Sequence, residues 1–235
     1  MWTYHSRGRK AGPRLRVFMP KITAIQPQKK NPRRVNIYLD GEFAFGLSRI
    51  VAAWLRVGQH LSAEKIAQLR EEDQREKAYQ QALRFLSYRP RSQAEIRRNL
   101  RKHDIPESII EDIIQRLEEI GLANDEEFAR AWIENRNTFR PRSRRALTSE
   151  LRQKGVPEDI IRSVLDENTD DEHLAYQAGL RKARKLAHLE WPDFRRKLGD
   201  FLARRGFNYS VIAPLLRQLW QEVHPESDPT TEDIV

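Results

Sequence analysis

Residues 88–106 read YRPRSQAEIRRNLRKHDIP, and residues 139–157 read FRPRSRRALTSELRQKGVP, so one pattern returns after 51 positions. The same offset relates further apolar positions in two copies: Ile96 and Leu147, Leu100 and Leu151, Ile109-Ile110 and Ile160-Ile161, Ile113-Ile114 and Val164-Leu165. A third copy is weaker and includes Leu198, Leu202, Gly206, Val211-Ile212 and Leu215-Leu216. An internal period of this length is typical of arrays of helical repeats.

Each copy carries signals for helix ends. Ser92 and Glu95 have the spacing of a capping box, which satisfies free amides at a helix start. Gly155 stands where a helix ends in a left-handed residue, and Asp104 takes that place in the first copy. Pro157 then falls at the predicted first position of the next helix, where its missing N–H costs nothing. We therefore predict units of three helices: a lead helix, a short helix, a tight turn and a helix with one apolar stripe.

The third copy departs from this pattern. Asn208 replaces the proline, and Pro214 lies inside the last striped helix. Because an interior proline removes a backbone hydrogen bond, we expect a kink or a looser terminal unit there.

The segment before the repeats has the alternation of β-strands. Residues 35–39 and 43–47 alternate apolar and other side chains around Asp40-Gly41, which predicts a hairpin with a type I′ turn. Residues 22–25 are a candidate third strand, and a short helix is expected after Ser48. Ser62 can cap a following helix, and the polar stretch 71–77 is either an exposed turn of it or a hinge.

The predicted fold is mainly α: tandem three-helix, helix-turn-helix-like repeats of period 51 in an elongated curved array, with a small N-terminal β-hairpin segment. The expected divisions are a basic disordered arm (1–20), a small sheet with a short helix (21–61), a linker helix with repeat 1 (62–123), repeat 2 (124–169), repeat 3 (170–223) and an acidic tail (224–235). We also consider Met19, which precedes Pro20, as a candidate alternative translation start.

The charge is unevenly distributed along the chain. The net charge of +9 comes from residues 1–34, which hold ten bases and no acid, so the remainder is nearly neutral. Within the remainder, residues 129–154 hold eight bases and two acids. Such sorting indicates oriented docking onto a charged partner or, with equal weight, solvated helix faces.

The segments 82–100 (ALRFLSYRPRSQAEIRRNL), 140–157 (RPRSRRALTSELRQKGVP) and 121–129 (GLANDEEFA) resemble the bacterial RecX regulators. The hairpin segment is similar to the N-terminal extension of longer members, and the resemblance covers about residues 21–220. It implies a protein that binds the RecA recombinase and its filament on DNA, slows its ATPase and strand exchange, and limits filament growth. It also implies direct DNA contact in some members.

The candidate partner-binding residues are bases of the first two repeats: Arg89, Arg91, Arg97, Arg98, Arg101, Lys102, Arg136, Arg140, Arg142, Arg144, Arg145, Arg152 and Lys154. Arginine suits acidic surfaces and phosphates because its planar fork donates two parallel hydrogen bonds. The structural alternative is that several of them pair with Glu107, Glu111, Glu134, Glu150 or Glu158. Among the aromatic residues, Phe128 and Trp132 are expected in the core, and Tyr88 and Phe139 are expected to pack between helices.

Catalysis is not expected. The chain has no cysteine, its six histidines lack metal-ligand spacing, and it contains no Gly-rich phosphate loop or nucleophile elbow. We expect no cofactor or metal, no membrane association, a cytoplasmic location and a monomer. The main alternative is a helix-turn-helix-like protein that acts directly on duplex or single-stranded DNA, although residues 107–120 hold one Arg and several acids, the reverse of what groove reading favours.

Overall fold

The structure, a computed structural model, describes residues 19–168 and 170–225 of the chain. These residues form two compact units, 19–81 and 82–225, called here the N-terminal unit and the helical unit. The predicted arm before residue 19 and the predicted tail after residue 225 lie outside the described residues. Within them, no helix is both long and apolar enough to cross a membrane.

The N-terminal unit contains a three-stranded antiparallel sheet in the order β1-β2-β3. Asp40 (φ 48°) and Gly41 (φ 92°) connect β2 to β3, which confirms the predicted tight hairpin. The elements that begin in this unit are β1 (Ile22–Gln28), β2 (Asn31–Leu39), β3 (Glu42–Ser48), a 3₁₀ helix (Val51–Trp54) and helix α1 (Ala63–Leu86), whose residues 82–86 belong to the helical unit.

The core of this unit follows from the strand alternation. Val35, Ile37, Phe45 and Leu47 lie on one face of the sheet and are buried together with Leu69 of α1. Strand residues two apart share a face, so an alternating sequence covers that face with apolar side chains.

The polar stretch 71–77 lies inside one continuous helix, so the hinge alternative is wrong. Its Asp73 is only 4% exposed at the side chain and accepts hydrogen bonds from Arg34 of β2 (2.9 and 3.1 Å) and from the Ser48 amide (2.7 Å). Burial alone would raise the pKa of Asp73, but the hydrogen bonds from Arg34, Lys77 and Ser48 outweigh it and hold the pKa below its ordinary value. A buried carboxylate thus fixes α1 to the sheet.

The helical unit consists of three-helix repeats, as predicted. Its helices within the described residues are α2 (Gln93–Arg101), α3 (Glu107–Glu119), α4 (Asp125–Phe139), α5 (Arg144–Lys154), α6 (Glu158–Asn168), α7 (Asp171–Leu186), α8 (Trp191–Ala203) and α9 (Tyr209–Val223).

The predicted helix ends are largely confirmed. Ser92 caps α2 and Ser143 caps α5, each through its side-chain oxygen. Asp104 (φ 55°), Gly155 (φ 77°) and Gly206 (φ 90°) all take the left-handed conformation. The striped helices begin one residue later than predicted, because the prolines precede Glu107 and Glu158 instead of forming the first turn.

Pro214 does not break the last helix. Helix α9 is continuous from Tyr209 to Val223, and its residues Leu215 and Leu219 join a buried cluster with Phe194 of α8. The expected looser terminal unit is therefore wrong, because apolar packing on three helices holds α9 in place despite the missing hydrogen bond.

Successive repeats are connected by a recurring contact between a helix start and a glycine turn. In the first joint, Ser92 Oγ donates to Lys154 O (2.5 Å), and Gly155 lies so close to Ala94 that an added Cβ would be 2.4 Å from the Ala94 Cβ. The first joint comprises residues 92–95 and 154–155.

The second joint comprises residues 143–146 and 205–206, all at the equivalent positions 51 further on. The Ser143 amide donates to Arg205 O (3.1 Å), and an added Cβ on Gly206 would be 2.6 Å from Ser143 Oγ. An aspartate supports each joint: Asp125 accepts from the Gln93 amide (2.9 Å) and Asp171 from the Arg144 amide (2.7 Å). The 51-residue period therefore describes how repeats stack as well as how each is built.

Replacement of Gly155 by Ala tests the first joint. Both Gly155→Ala and the control Gly121→Ala place a side chain at positive φ, which costs about 1 kcal/mol. Only Gly155 faces a neighbouring helix, since nothing lies within 4 Å of a Cβ on Gly121. We expect Gly155→Ala to lower the free energy of unfolding in urea by about 1–3 kcal/mol more than the control does. Equal losses would contradict the close approach.

Replacement of Asp73 by Asn tests the anchor of α1. Loss of the buried charge leaves Arg34 without its partner, so we expect the free energy of unfolding to fall by about 3 kcal/mol at pH 7. The control Glu71→Gln, on the same helix, removes an exposed pair with Arg75 and should cost less than about 1 kcal/mol.

The same anchor predicts a pH dependence. Because the folded-state pKa of Asp73 is below the ordinary value near 4, its stabilisation is present above about pH 4 and is lost as the pH falls through the folded-state pKa. The difference between wild type and Asp73→Asn should therefore shrink in acid. A difference that stays constant from pH 7 to pH 3 would show that the charge of Asp73 is not the cause.

Candidate partner-binding surface

Most of the predicted binding arginines are already engaged with acids of the same chain. Eight of the thirteen bases form ion pairs: Arg89 and Lys154 with Glu95, Arg97 with Glu111, Arg101 with Glu107, Arg136 and Arg142 with Glu150, Arg144 with Asp166, and Arg152 with Glu158. Of the five acids that the sequence analysis named as possible partners, Glu107, Glu111, Glu150 and Glu158 take part in these ion pairs, and Glu134 does not. The structural alternative thus accounts for much of the set.

Two of these pairs are the same contact in successive repeats. Arg101 binds Glu107 with two hydrogen bonds (3.0 and 2.6 Å), and Arg152 binds Glu158 in the same way (2.7 and 2.6 Å). The hydrogen bonds from these arginines lower the pKa of both glutamates. Each pair connects the second helix of its repeat to the third across the tight turn, which is a structural role.

At the first joint, two bases are paired with one acid, Glu95. Glu95 does not return to the amide of Ser92, as a full capping box requires; its carboxylate accepts from Arg89 (2.9 and 3.1 Å) and from Lys154 Nζ (3.0 Å). Burial would raise the pKa of Glu95, but these two cations hold it below its ordinary value. Nearby, Arg91 lies over the Phe85 ring at 4.1 Å. The carboxylate of Glu95 therefore neutralises Arg89 and Lys154, whereas Arg91 forms no ion pair among the described residues and its buried Nε has no hydrogen-bond partner there.

The second joint lacks that acid. Ala146 occupies the position of Glu95, and Arg205 occupies that of Lys154. Arg205 Nη1 donates to the Pro141 carbonyl (2.9 Å), and Arg181 Nη1 of α7 donates to the Thr138 carbonyl (3.5 Å). The Arg205 guanidinium thus lies against the loop between α4 and α5, and the Arg181 guanidinium lies against the last turn of α4.

Four arginines meet at this place: Arg140, Arg142, Arg181 and Arg205, called here the arginine cluster. Burial, followed by repulsion from Arg142, Arg140 and Arg181, lowers the pKa of Arg205. Because a guanidinium stays protonated in proteins, the repulsion persists as an unfavourable charge interaction, which a bound anion would relieve. In the described residues only Arg142 of the four has an acidic partner, Glu150 at 3.0 Å.

Two aromatic residues beside the joints are exposed, contrary to prediction. Tyr88 is 78% and Phe139 is 70% exposed, so neither packs between helices. The physical reason is their place in the chain: α1 ends before Tyr88, and Phe139 is the last residue of α4, where the backbone leaves the core. Exposed rings beside basic groups are typical of surfaces that stack on nucleobases.

The other two aromatic residues match their prediction more closely. Phe128 is 5% exposed and lies in the core of the second repeat. Trp132 is only partly buried against that core; its Nε1 donates to Glu150 (2.8 Å), and Arg136 and Lys154 lie over its ring at 4.5 and 4.8 Å. The Trp132 ring is thus covered by bases of its own chain.

The remaining predicted bases, Arg98, Lys102 and Arg145, are exposed and form no ion pair with the described residues, as is also true of Arg140. Sequence reasoning missed Arg181 and Arg205. The 51-residue offset from Lys154 points to Arg205. The same offset from Arg130 reaches Arg181, but Arg130 was not among the predicted bases.

One groove of the helical unit is open and polar. It has a volume of about 1170 Å³, lies between α4 and α7, and is lined by side chains that include Glu134, Asp170, His173, Arg181 and Arg184. Across residues 19–168 and 170–225, no group of three or more His, Asp or Glu side chains is placed to hold a metal ion. The absence of catalysis stays a prediction.

Comparison with known proteins identifies the family. The models of the Regulatory protein RecX N-terminal domain and of the first, second and third RecX three-helix domains match residues 20–62, 78–117, 124–165 and 170–216. The Regulatory protein RecX of Bacillus velezensis is 33% identical over 216 residues, which are 89% of this chain and 81% of the relative. The chain belongs to the RecX family.

Other RecX proteins agree with this assignment. The Regulatory protein RecX of Bacillus subtilis is 32% identical over 91% of this chain and 81% of its own length. A crystal structure of regulatory protein RecX has a TM-score of 0.65 and 30% identity and covers 84% of this chain and 98% of the other. The structure of RecX from Lactobacillus salivarius has a TM-score of 0.55 and 28% identity, covering 63% and 97%.

Proposed function

We propose that this RecX family member binds the RecA recombinase filament on DNA and inhibits its ATPase, strand exchange and extension. It would thereby modulate homologous recombination and the response to DNA damage, as a non-enzymatic, cytoplasmic monomer that needs no cofactor. The observation that carries the proposal is family membership over almost the whole described chain, together with the named relatives.

The repeats supply a surface suited to such a partner. Equivalent positions of stacked repeats recur at regular intervals, so they can follow a polymer whose own subunits repeat. Arg140 and Arg145, without ion pairs among the described residues, lie in and just after the loop between α4 and α5. We propose these bases, with Arg142, as contacts to RecA acids or DNA phosphates, and a direct DNA contact without sequence preference.

Sequence-specific reading of duplex DNA is the weaker candidate. In α3, the striped helix that would enter a groove, Ile110, Ile113 and Leu117 are buried, and Glu107 and Glu111 are paired with arginines. The exposed face of α3 is rich in acidic side chains, and their negative charges would repel the phosphates of DNA.

The proposal is tested on the DNA-dependent ATPase of RecA. We expect the protein to lower the ATPase rate when it is present at fewer copies than RecA, because blocking one filament position affects many subunits. An unchanged rate at an excess over RecA would contradict the proposal. A tight, sequence-selective shift of naked duplex without RecA would favour the rival function instead.

Charge reversal locates the contact. The triple variant Arg140→Glu, Arg142→Glu, Arg145→Glu should bind preformed RecA filaments at least about tenfold more weakly, because three attractions become repulsions. A matched control with the same change of net charge is Arg195→Glu, Lys197→Glu, Arg217→Glu on exposed positions of the third repeat. Both should keep the helical circular-dichroism signal. If the two triple variants weakened filament binding equally, the contact would not lie at Arg140, Arg142 and Arg145.

A further inference from the structure

We propose that the arginine cluster binds the phosphate backbone of single-stranded DNA while the ring of Phe139 stacks on a base. This site deepens the DNA contact of the proposed function, on which it rests, and assigns that contact to the second joint alone. The first joint, although built on the same backbone pattern, would not bind.

The geometry brings the cluster together from three elements. Arg140 and Arg142 lie in the loop between α4 and α5, Arg181 lies on α7, and Arg205 lies in the turn after α8. Arg181 donates to the Thr138 carbonyl and Arg205 donates to the Pro141 carbonyl, the two residues that flank Phe139 and Arg140 in the sequence. Arg205 also lies over the Phe201 ring at 4.4 Å, which restricts its orientation.

Three of the four arginines of the cluster have no ion-pair partner within the described residues. Arg140, Arg181 and Arg205 form no ion pair there, and the one acid near Arg142, Glu150, also binds Arg136 and Trp132. Like charges held close by the fold are unfavourable until an anion joins them. Phosphate fits because arginine can offer it paired N–H donors, and a strand offers successive phosphates to several arginines.

The exposed ring of Phe139 favours single-stranded DNA over duplex DNA as the ligand. Phe139, the residue before Arg140, exposes a large apolar ring to water at the end of α4. Bases of a duplex are stacked on one another and cannot reach such a ring, whereas unpaired bases stack on aromatic side chains readily. An acidic protein segment would satisfy the arginines but would leave Phe139 unused, so we favour the nucleic acid.

The first joint shows what removes binding. Its equivalents of Arg140 and Arg205 are Arg89 and Lys154, and both bind the carboxylate of Glu95. Tyr88 remains exposed there, but Arg89 and Lys154 are neutralised by Glu95, and Arg91 is half-buried over the Phe85 ring. Glu95 in place of Ala146 is therefore a charge difference between the two joints that a single substitution can test.

Substitution of Ala146 tests this difference directly. Ala146→Glu introduces the acid that the first joint has, and Ala146→Gln is the matched control of the same size without charge. The measurement is fluorescence anisotropy of a labelled oligothymidylate without RecA. We expect Ala146→Glu to weaken binding about tenfold and to reduce the slope of log affinity against log salt by roughly 0.7 for each phosphate that the protein no longer neutralises. Ala146→Gln should stay within about threefold of wild type.

Substitution of the two rings gives a second test that leaves the core intact. Phe139→Ala should weaken binding at least about fivefold, and Tyr88→Ala, at the equivalent position of the first joint, should leave it nearly unchanged. This pair decides the question even if Ala146→Glu fails to fold. Equal effects of the two rings, or equal effects of Glu and Gln at position 146, would overturn the proposal.

The remaining outcomes separate this site from the proposed function. If the wild-type protein inhibits the RecA ATPase but does not bind oligothymidylate, the inferred site is wrong and the proposed function stands. If it binds oligothymidylate but leaves RecA unaffected, the proposed function fails. If polyglutamate competes for the cluster and Phe139→Ala has no effect, the cluster takes an acidic protein segment, which also overturns the proposal.

Discussion

The close approach of a capped helix start to a glycine turn is the contact on which the repeat arrangement depends. Gly155 faces Ala94 and Gly206 faces Ser143 and Ala146, and in each joint the glycine has both a left-handed backbone and a face with no room for a side chain. A larger residue there would have to push two helices apart. Since the capping serines are buried, their hydrogen bonds across the joint are shielded from water, and leaving them unmade would be costly.

The two joints share one backbone arrangement but differ in their electrostatic environment. A carboxylate at position 95 gathers Arg89 and Lys154 into a closed network, whereas a methyl group at position 146 leaves the arginines of the second joint facing one another. The backbone can keep the stacking while single side chains decide which joint is available to an anionic partner. Repeats in a row need not contribute equally to binding, even when their helices are equivalent.

The fold could be predicted from the sequence because its signals are local: alternation around Asp40-Gly41, capping serines, and glycines at fixed spacing. The binding surface could not, because ion pairing depends on which helices lie side by side; spacing alone did not show that Glu95 would bind Lys154 of the next repeat. The exposure of Phe139 was missed for a related reason. Its apolar character suggested burial, but its place at a helix end, beyond the core, was decided by the tertiary arrangement.

The most direct test of this account is hydrogen–deuterium exchange of the protein, free and bound to preformed RecA filaments on single-stranded DNA. If the second joint is the contact, bound filaments should slow amide exchange in residues 138–142 much more than in residues 87–91, although the two segments are equivalent in the repeats. Equal slowing of both segments, or slowing confined to other parts of the chain, would contradict the claim that uncompensated charge at the second joint directs binding.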